Sequence, residues 1–331
     1  MNQTLPDLIE VAEKLPPTVD SNFLSDVLKG LSSKEKFLQS KYFYDAKGDV
    51  LFQKTMSCPE YYPTKCEMEI FTEQINEIAS TFINELYEFD VVELGAGDAT
   101  KSIHLLNELL KHNVAFTYYP VDISKNVINL LHRELPQQLP TLQITGLNGE
   151  YFHMLEKAKT LSDKIKVVLF LGSNIGNVPL SEARHFCVSL HNHLQPGDFV
   201  LIGFDLKKDP HTVLAAYNDK TGYTREFNLN LLQRINDELE ANFNVDNFTH
   251  YPTYDPGTGA CKSYLVSSIE QTVHVAGYLI NFAKGETIHM EISQKYTLAQ
   301  TDQLASESGF VPVKHFYDSK KWFLDAVWKC V

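Results

Sequence analysis

Between residues 90 and 206 one pattern recurs: a short, predominantly apolar run, then a stretch of helical spacing or a turn, then another apolar run. The runs are DVVELGAGDA (90–99), FTYYPVDIS (116–124), LQITGL (142–147), KVVLFLGSNIGN (166–177) and DFVLIGFDL (198–206). Between them, Ile103, Leu105, Leu106, Leu109 and Leu110 form one helical face and a second helix is expected around Val127–Leu131. A third covers 181–194 and stops at Gln195-Pro196-Gly197. Strands that lack polar alternation are covered on both faces, and a helix between two strands returns the chain parallel to itself. The pattern therefore predicts an α/β fold built on a doubly wound parallel sheet, with ligands beyond the carboxyl ends of its strands.

After 206 the rhythm breaks. Residues 211–244 read as helical, with Phe227, Leu231, Ile235 and Leu239 four apart, and SYLVSS (263–268) and QTVHVAGYLINF (271–282) read as strands. Gly285 precedes ETIHMEISQKY (286–296), and GFVPVKHFYDSKKWFLDAVWK reads as two strands joined at Asp318–Lys320. Upstream, residues 1–40 read as helices separated by Pro16-Pro17, with Leu24, Val27, Leu28 and Leu31 at helical spacing. An aromatic-rich stretch at 42–64 reads as a loop, followed by one helix with Met68, Phe71, Ile75 and Ile78 on a face. A chain of 331 residues exceeds what one core usually holds, which is about 250–300 residues. The expected division is a second lobe made of 1–68 and the insertion 207–292, and a sheet domain made of 69–206 and 293–331.

Charge and cysteines exclude more than they assign. With 29 basic and 42 acidic residues the formal charge is −13, which argues against nucleic acid or an anionic membrane surface as the main partner. Cys58, Cys66, Cys187, Cys261 and Cys330 are odd in number and form no CxxC pair, which fits a reducing compartment. The start, MNQTLPDLIE, lacks a signal-peptide pattern, and no apolar run approaches the roughly 20 residues of a membrane helix. The expected location is cytoplasmic.

The motif nearest to chemistry is Glu93-Leu-Gly95-Ala-Gly97-Asp98, between a strand and a helix. Its glycines let the backbone approach a ligand, but Thr100 stands where a pyrophosphate-binding fingerprint has its third glycine. Asp122, ending the next strand, is placed to accept both hydroxyls of a ribose. Such a loop and acid serve S-adenosylmethionine (SAM) methyltransferases and nicotinamide enzymes alike. The Gln195-Pro196-Gly197-Asp198 turn before an apolar strand favours the former, and a plain tight turn is the structural alternative. Taken alone, Tyr61-Tyr62-Pro63 is loop packing, Asn177 a turn residue and Glu291 a solvated strand charge. His191 and His193 read as surface histidines and Cys58 as a packing residue, and the pairs Lys207-Lys208 and Lys320-Lys321 are too short for a nucleic-acid patch.

YFYDAKGDVLFQ, PEYYPT, VVELGAGDATK, YPVDIS, FLGSNIGN, LIGFDLKKDP, AAYNDKTGYTREFNLN and ETIHMEIS occur in that order. Together they resemble the SAM-dependent histidine Nα-methyltransferases of ergothioneine biosynthesis, over roughly residues 38–331. The resemblance implies a Rossmann-like class I methyltransferase domain with a second, substrate-binding lobe, SAM as cofactor and L-histidine as small-molecule substrate. It implies that Gly95, Lys101 and Asp122 contact SAM. The family's Asp-Phe pair near the adenine matches Glu150-Tyr151, with glutamate in place of aspartate. Tyr44 and Asn177 match residues around the substrate amino group and are the expected catalytic pair. Tyr61, Gly172 and Tyr217 match substrate-pocket positions, and Glu291 and Ser293 match the pair that reads the imidazole. One departure bears on specificity, since Ser263 stands where the family commonly has a pocket methionine. The activity implied is three successive methyl transfers giving the betaine hercynine. Transfer to another amino acid or small amine, and a non-catalytic SAM-binding role, are the competing readings.

Overall fold

The apolar runs are strands because they are too short and too uniformly buried to make amphipathic helices. Phe89–Leu94 and Phe199–Asp205 are buried at every residue, and Ile165–Phe170 at all but the first. The computed structural model describes residues 21–331, so the part of the expected N-terminal helices around Pro16-Pro17 lies outside the described residues. The described residues divide into two compact units, 21–61 with 209–292, and 62–208 with 293–331.

The second unit carries an eight-stranded sheet among the described residues. Its order is Phe310–Tyr317, Phe323–Cys330, Phe199–Asp205, Ile165–Phe170, Phe89–Leu94 and Thr117–Asp122, with Gln143–Ile144 and Leu147–Asn148 both against Thr117–Asp122. Neighbours from Phe199–Asp205 through Thr117–Asp122 run parallel, as the sequence predicts. The last two strands form the expected hairpin, and Phe323–Cys330 inserts antiparallel beside Phe199–Asp205. Strand order reverses between Phe89–Leu94 and Ile165–Phe170, which makes the ends of those strands the switch point.

The two sides of this sheet differ. Val92, Leu94, Val168, Phe170, Val200, Ile202, Phe204, Leu324, Ala326 and Trp328 enter one apolar core with Leu155, Cys187, Leu190, Leu304 and Ala305 of the covering helices. Alternate residues of the same strands point the other way and include Glu93, Asp205 and Asp325, all buried.

In the first unit a four-stranded sheet among the described residues is ordered Lys36–Phe37, Thr287–Gln294, Ala260–Ser267, Phe248–Asp255. Leu265, Ile288 and Met290 share a core with Phe227, Leu231, Leu232 and Ile235 of helix Tyr223–Glu238 and with Leu24, Val27 and Leu31 of helix Ser21–Leu31. The boundary after Ile292 falls inside strand Thr287–Gln294.

Four expectations are corrected. The stretch 42–64 is largely helical: Asp45 caps helix Ala46–Ser57 by accepting from Gly48 N at 2.6 Å, and helix Tyr62–Glu73 follows. The single helix expected through Ile78 is two, Tyr62–Glu73 and Ile75–Ile83, parted at Gln74, and the first buries Cys66, Glu67, Ile70 and Phe71 rather than Met68. LQITGL gives two short pairings because Gly146 N turns aside to His132 Nε2 at 3.0 Å. Residues 211–244 form two helices, Pro210–Ala216 and Tyr223–Glu238. The turn between them is held by Asp219, whose carboxylate accepts from Tyr223 N at 2.9 Å and Thr224 N at 2.8 Å. The sequence reading did not anticipate helices Tyr151–Leu161 and Leu298–Glu307 or strand Phe248–Asp255. None of the helices among the described residues is long and apolar enough to cross a membrane.

Candidate active site

At the switch point the Phe89–Leu94 strand ends in Gly95 and Gly97, with φ of 75° and 54°. These angles lie in the left-handed region, where a Cβ is strained. A side chain at Gly95 would also fall 2.8 Å from Asn174 Nδ2 and 2.9 Å from Tyr151 Oη. A Cβ at Gly97 would meet nothing within 4 Å. Gly97 N donates to Asp122 Oδ2 at 3.2 Å, and Ser124 N donates to Oδ1 at 2.8 Å, which fixes the carboxylate at its strand end. Tyr151 opens helix Tyr151–Leu161 with its ring edge-on to Phe170, 5.6 Å between centroids. Burial and the Asp122 charge push its phenol well up, so it is present as a neutral hydroxyl. Glu150, at the cap of that helix, is exposed and makes no capping bond.

Lys101 caps the helix after the glycine loop and forms an ion pair with Glu67. Gly172, just past Ile165–Phe170, lies close by: a Cβ there would be 3.5 Å from Lys101 Nζ. Asn177 is exposed at the end of the short turn Asn174–Asn177, and its Nδ2 lies 3.5 Å from Asn174 Oδ1. The second unit thus brings Gly95, Lys101, Tyr151 and Gly172 together around Asn174, with Asp122 beside Gly97.

Ser293 is buried and accepts from Lys295 Nζ at 2.8 Å. Lys295 pairs at 2.7 Å with Asp205, which also pairs with Lys208 and accepts from Tyr62 Oη at 2.8 Å. Burial would raise the Asp205 carboxyl, but the two ammonium charges outweigh it and hold the group below its usual range. Burial lowers Lys208, against the pull of Asp205.

The first unit places Tyr44, Tyr61 and Tyr217 in one aromatic group. Tyr44 lies edge-on to Phe52 and Phe227 at 5.7 Å, Phe52 meets Tyr61 at 6.5 Å, and Tyr61 meets Tyr217 at 6.2 Å. Glu291 Oε1 accepts from Asn228 Nδ2 at 3.2 Å, so it is bonded within the fold rather than merely a solvated strand charge. Ser263 is buried and its hydroxyl has no hydrogen-bond partner among the described residues.

Two residues escaped the sequence reading. Asn174 lies within FLGSNIGN, three residues before Asn177, and no local pattern distinguishes it from a turn residue. Glu67 lies in TKCEMEI, and the apolar template for that helix skips the position it occupies. No group of metal ligands occurs among the described residues. His193 stacks on Phe152, and His191 Nε2 lies 3.2 Å from Val331 O.

A glycine loop and a strand-end acid at the switch point of a doubly wound sheet define a nucleoside-binding α/β domain. The residues fit an adenosyl group: the space over Gly97 is open and Asp122 is held beside it as a hydrogen-bond acceptor. The sequence model of the family described as "Histidine-specific methyltransferase, SAM-dependent" matches residues 23–330, and the chain belongs to that family. It is a SAM-dependent methyltransferase of class I fold.

Its relatives include a histidine N-alpha-methyltransferase of Mycolicibacterium smegmatis, 33% identical, with 82% of this chain and 83% of that protein aligned. The ergothioneine biosynthesis protein 1 of Neurospora crassa is 30% identical over 90% of this chain, which spans only 34% of that longer protein. A 4-dimethylallyltryptophan N-methyltransferase of Claviceps fusiformis is 24% identical over 88% of this chain and 87% of its own length.

Proposed function

We propose that the chain methylates the α-amino nitrogen of L-histidine, three times in succession, giving the trimethylated betaine hercynine as the first step of ergothioneine biosynthesis. The observation that carries this is the family match across residues 23–330, supported by the Mycolicibacterium relative at 33% identity. When bound, SAM supplies an electrophilic methyl on a sulfonium. The protein's part is to hold an amine with a free lone pair in line with that methyl. An α-amino group has a pKa of about 8 in peptides and a higher one in a free amino acid, so the nucleophile must shed a proton before it reacts.

Gly95, Lys101, Asp122 and the Glu150-Tyr151 pair are proposed as the cofactor contacts, with Asp122 accepting from the ribose. Tyr44 and Asn177 are proposed to accept hydrogen bonds from the amine through hydroxyl and amide oxygens and so aim its lone pair. The faces of Tyr44 and Tyr61 would tolerate the growing methylammonium, a cation–π contact worth roughly 0.5–2 kcal/mol. Gly172 and Tyr217 are proposed as pocket residues. Glu291 would accept from an imidazole N–H and Ser293 would pair with it.

The buried hydroxyl of Ser263 favours a second reading, in which a different amino acid or small amine is the acceptor. The test is mass spectrometry of reactions with SAM and each of the twenty amino acids. Histidine alone should gain up to 42 Da, roughly three methylene masses. An inert histidine beside a methylated competitor would replace the substrate assignment.

A further inference from the structure

Beneath the cofactor loop lies a carboxylate that no assignment above uses. Glu67, on helix Tyr62–Glu73, is fully buried against the side of the sheet that carries the ionisable residues. Its two oxygens accept from Gly172 N at 2.8 and 3.1 Å, and one of them pairs with Lys101 Nζ. A Cβ at Gly203 would fall 2.6 Å from Glu67 Oε1, so the glycine makes the seat in which the carboxylate lies. Asp325 is the cross-strand partner of Gly203, is fully buried, and receives no hydrogen bond on either oxygen among the described residues.

We propose that Glu67 is a positioning residue of the methyl-transfer centre, one carboxylate that fixes both Lys101 and the Gly172 amide. The proposal rests on the reading of those two residues as cofactor and substrate contacts. Lys101 follows the loop after Phe89–Leu94, and Gly172 lies just past the end of Ile165–Phe170. These are the two strands between which the sheet order reverses. Tying both to one carboxylate sets the separation of the two loops that flank the switch point, before any ligand arrives.

The charges around Glu67 explain how it can be buried. Burial and the Glu67 charge push the Asp325 carboxyl well above its usual range, with Lys101 pulling the other way. Asp325 is therefore a neutral acid, able to donate its O–H to the Glu67 carboxylate beside it. Burial disfavours the Lys101 ammonium, but the charge and hydrogen bond of Glu67 outweigh it and Lys101 stays charged. One carboxylate thus faces one ammonium, and the acid next to them adds a donor rather than a second charge.

Three variants test this with calorimetric binding of S-adenosylhomocysteine, kinetics on histidine, and thermal melting. Glu67→Gln keeps an acceptor for Gly172 but loses the ion pair. Affinity and kcat/KM should each fall at least tenfold at temperatures well below Tm. Gly203→Ala leaves the charge intact but crowds the carboxylate out of its seat, and should give the same two losses. It decides the matter if Glu67→Gln does not fold. Asp325→Asn keeps a neutral donor and should lose no more than threefold. Unchanged binding and kinetics in Glu67→Gln and Gly203→Ala, with only Tm lowered, would reduce Glu67 to a structural residue and overturn the proposal. An Asp325→Asn as damaged as Glu67→Gln would overturn the neutral-acid part. A wild-type protein inactive on histidine would overturn the substrate reading instead, and the binding affinities of the variants would still decide this one.

Discussion

Two clusters of buried charge sit on the same side of the parallel sheet, near the carboxyl ends of its strands, and they are composed in opposite ways. Around Lys101 there is one ammonium among three acids, Glu67, Glu93 and Asp325. Around Asp205 there is one carboxylate between two ammoniums, Lys208 and Lys295. The acid-rich cluster relieves its excess by keeping protons: burial pushes Asp325 well up and raises Glu93 to about 7. The base-rich cluster relieves its own by lowering the proton affinity of Lys208. Such groups sit beside the residues expected to hold cofactor and substrate, as perturbed groups do at functional sites. The other side of the sheet, built from the alternate residues of the same strands, has an extensive apolar core and is the scaffold.

The largest effect expected from this contrast is at Asp205. Asp205→Asn leaves two ammonium groups, with side chains 4% and 0% exposed, without the carboxylate that both contact. Breaking a buried ion cluster in this way costs about 3–5 kcal/mol. Denaturant unfolding at pH 7 should show that loss, and a smaller one near pH 9.5, where a buried lysine in the variant can shed its proton. A loss below about 1 kcal/mol at both pH values would mean that the cluster is not the closed charge system described.

The sheet was readable in the sequence because its strands announce themselves by composition: VVLFLG and FVLIGF suit little other than a strand buried on both sides. The loop glycines and Asp122 were readable by their spacing. The buried charges were not. Glu67 and Cys66 occupy the helical positions that a purely apolar template skips, so such a template places the buried face of Tyr62–Glu73 one step away, through Met68. In sequence Glu93 is only a member of the glycine motif, since nothing local shows that Tyr118 Oη and Lys101 lie beside it. The aromatic density of 42–64 hid a helix whose cap, Asp45, is a strong signal with only weak apolar periodicity behind it. Side-chain roles that depend on which strands become neighbours are fixed by topology, and a linear pattern does not contain it.

A second prediction uses pH to separate the two sides of the sheet. Glu93 has an ordinary value of 4.5 when unfolded and about 7 in the fold, with burial the main cause and Tyr118 and Ser102 opposing it. A raised acid contributes stability that is complete below about pH 4.5 and lost as pH rises through about 7. Glu93→Gln cannot ionise, so its stability relative to wild type should rise between pH 5 and pH 8, by up to about 3 kcal/mol. The measurement is the pair of denaturation curves at each pH. Parallel pH dependence in the two proteins would show that Glu93 does not carry the penalty and that the acid-rich cluster is balanced differently.

The smallest effect tests the apolar side alone. Helix Leu298–Glu307 covers that side through Leu304 and Ala305, and it begins with a reciprocal cap. Gln300 N donates to Thr297 Oγ1 at 3.3 Å, while Thr297 N donates to Gln300 Oε1 at 2.8 Å. Thr297→Ala removes one half of this exchange and exposes the first turn to fraying, at a cost of about 1 kcal/mol. Thr297→Ser keeps the accepting oxygen and should recover most of the loss. Neither partner titrates, so the cost should be the same at pH 5 and pH 8, unlike that of Glu93→Gln. A Thr297→Ala penalty that grew with pH would show the ionisable cluster reaching through the sheet into the apolar core, and the separation of the two sides would fail.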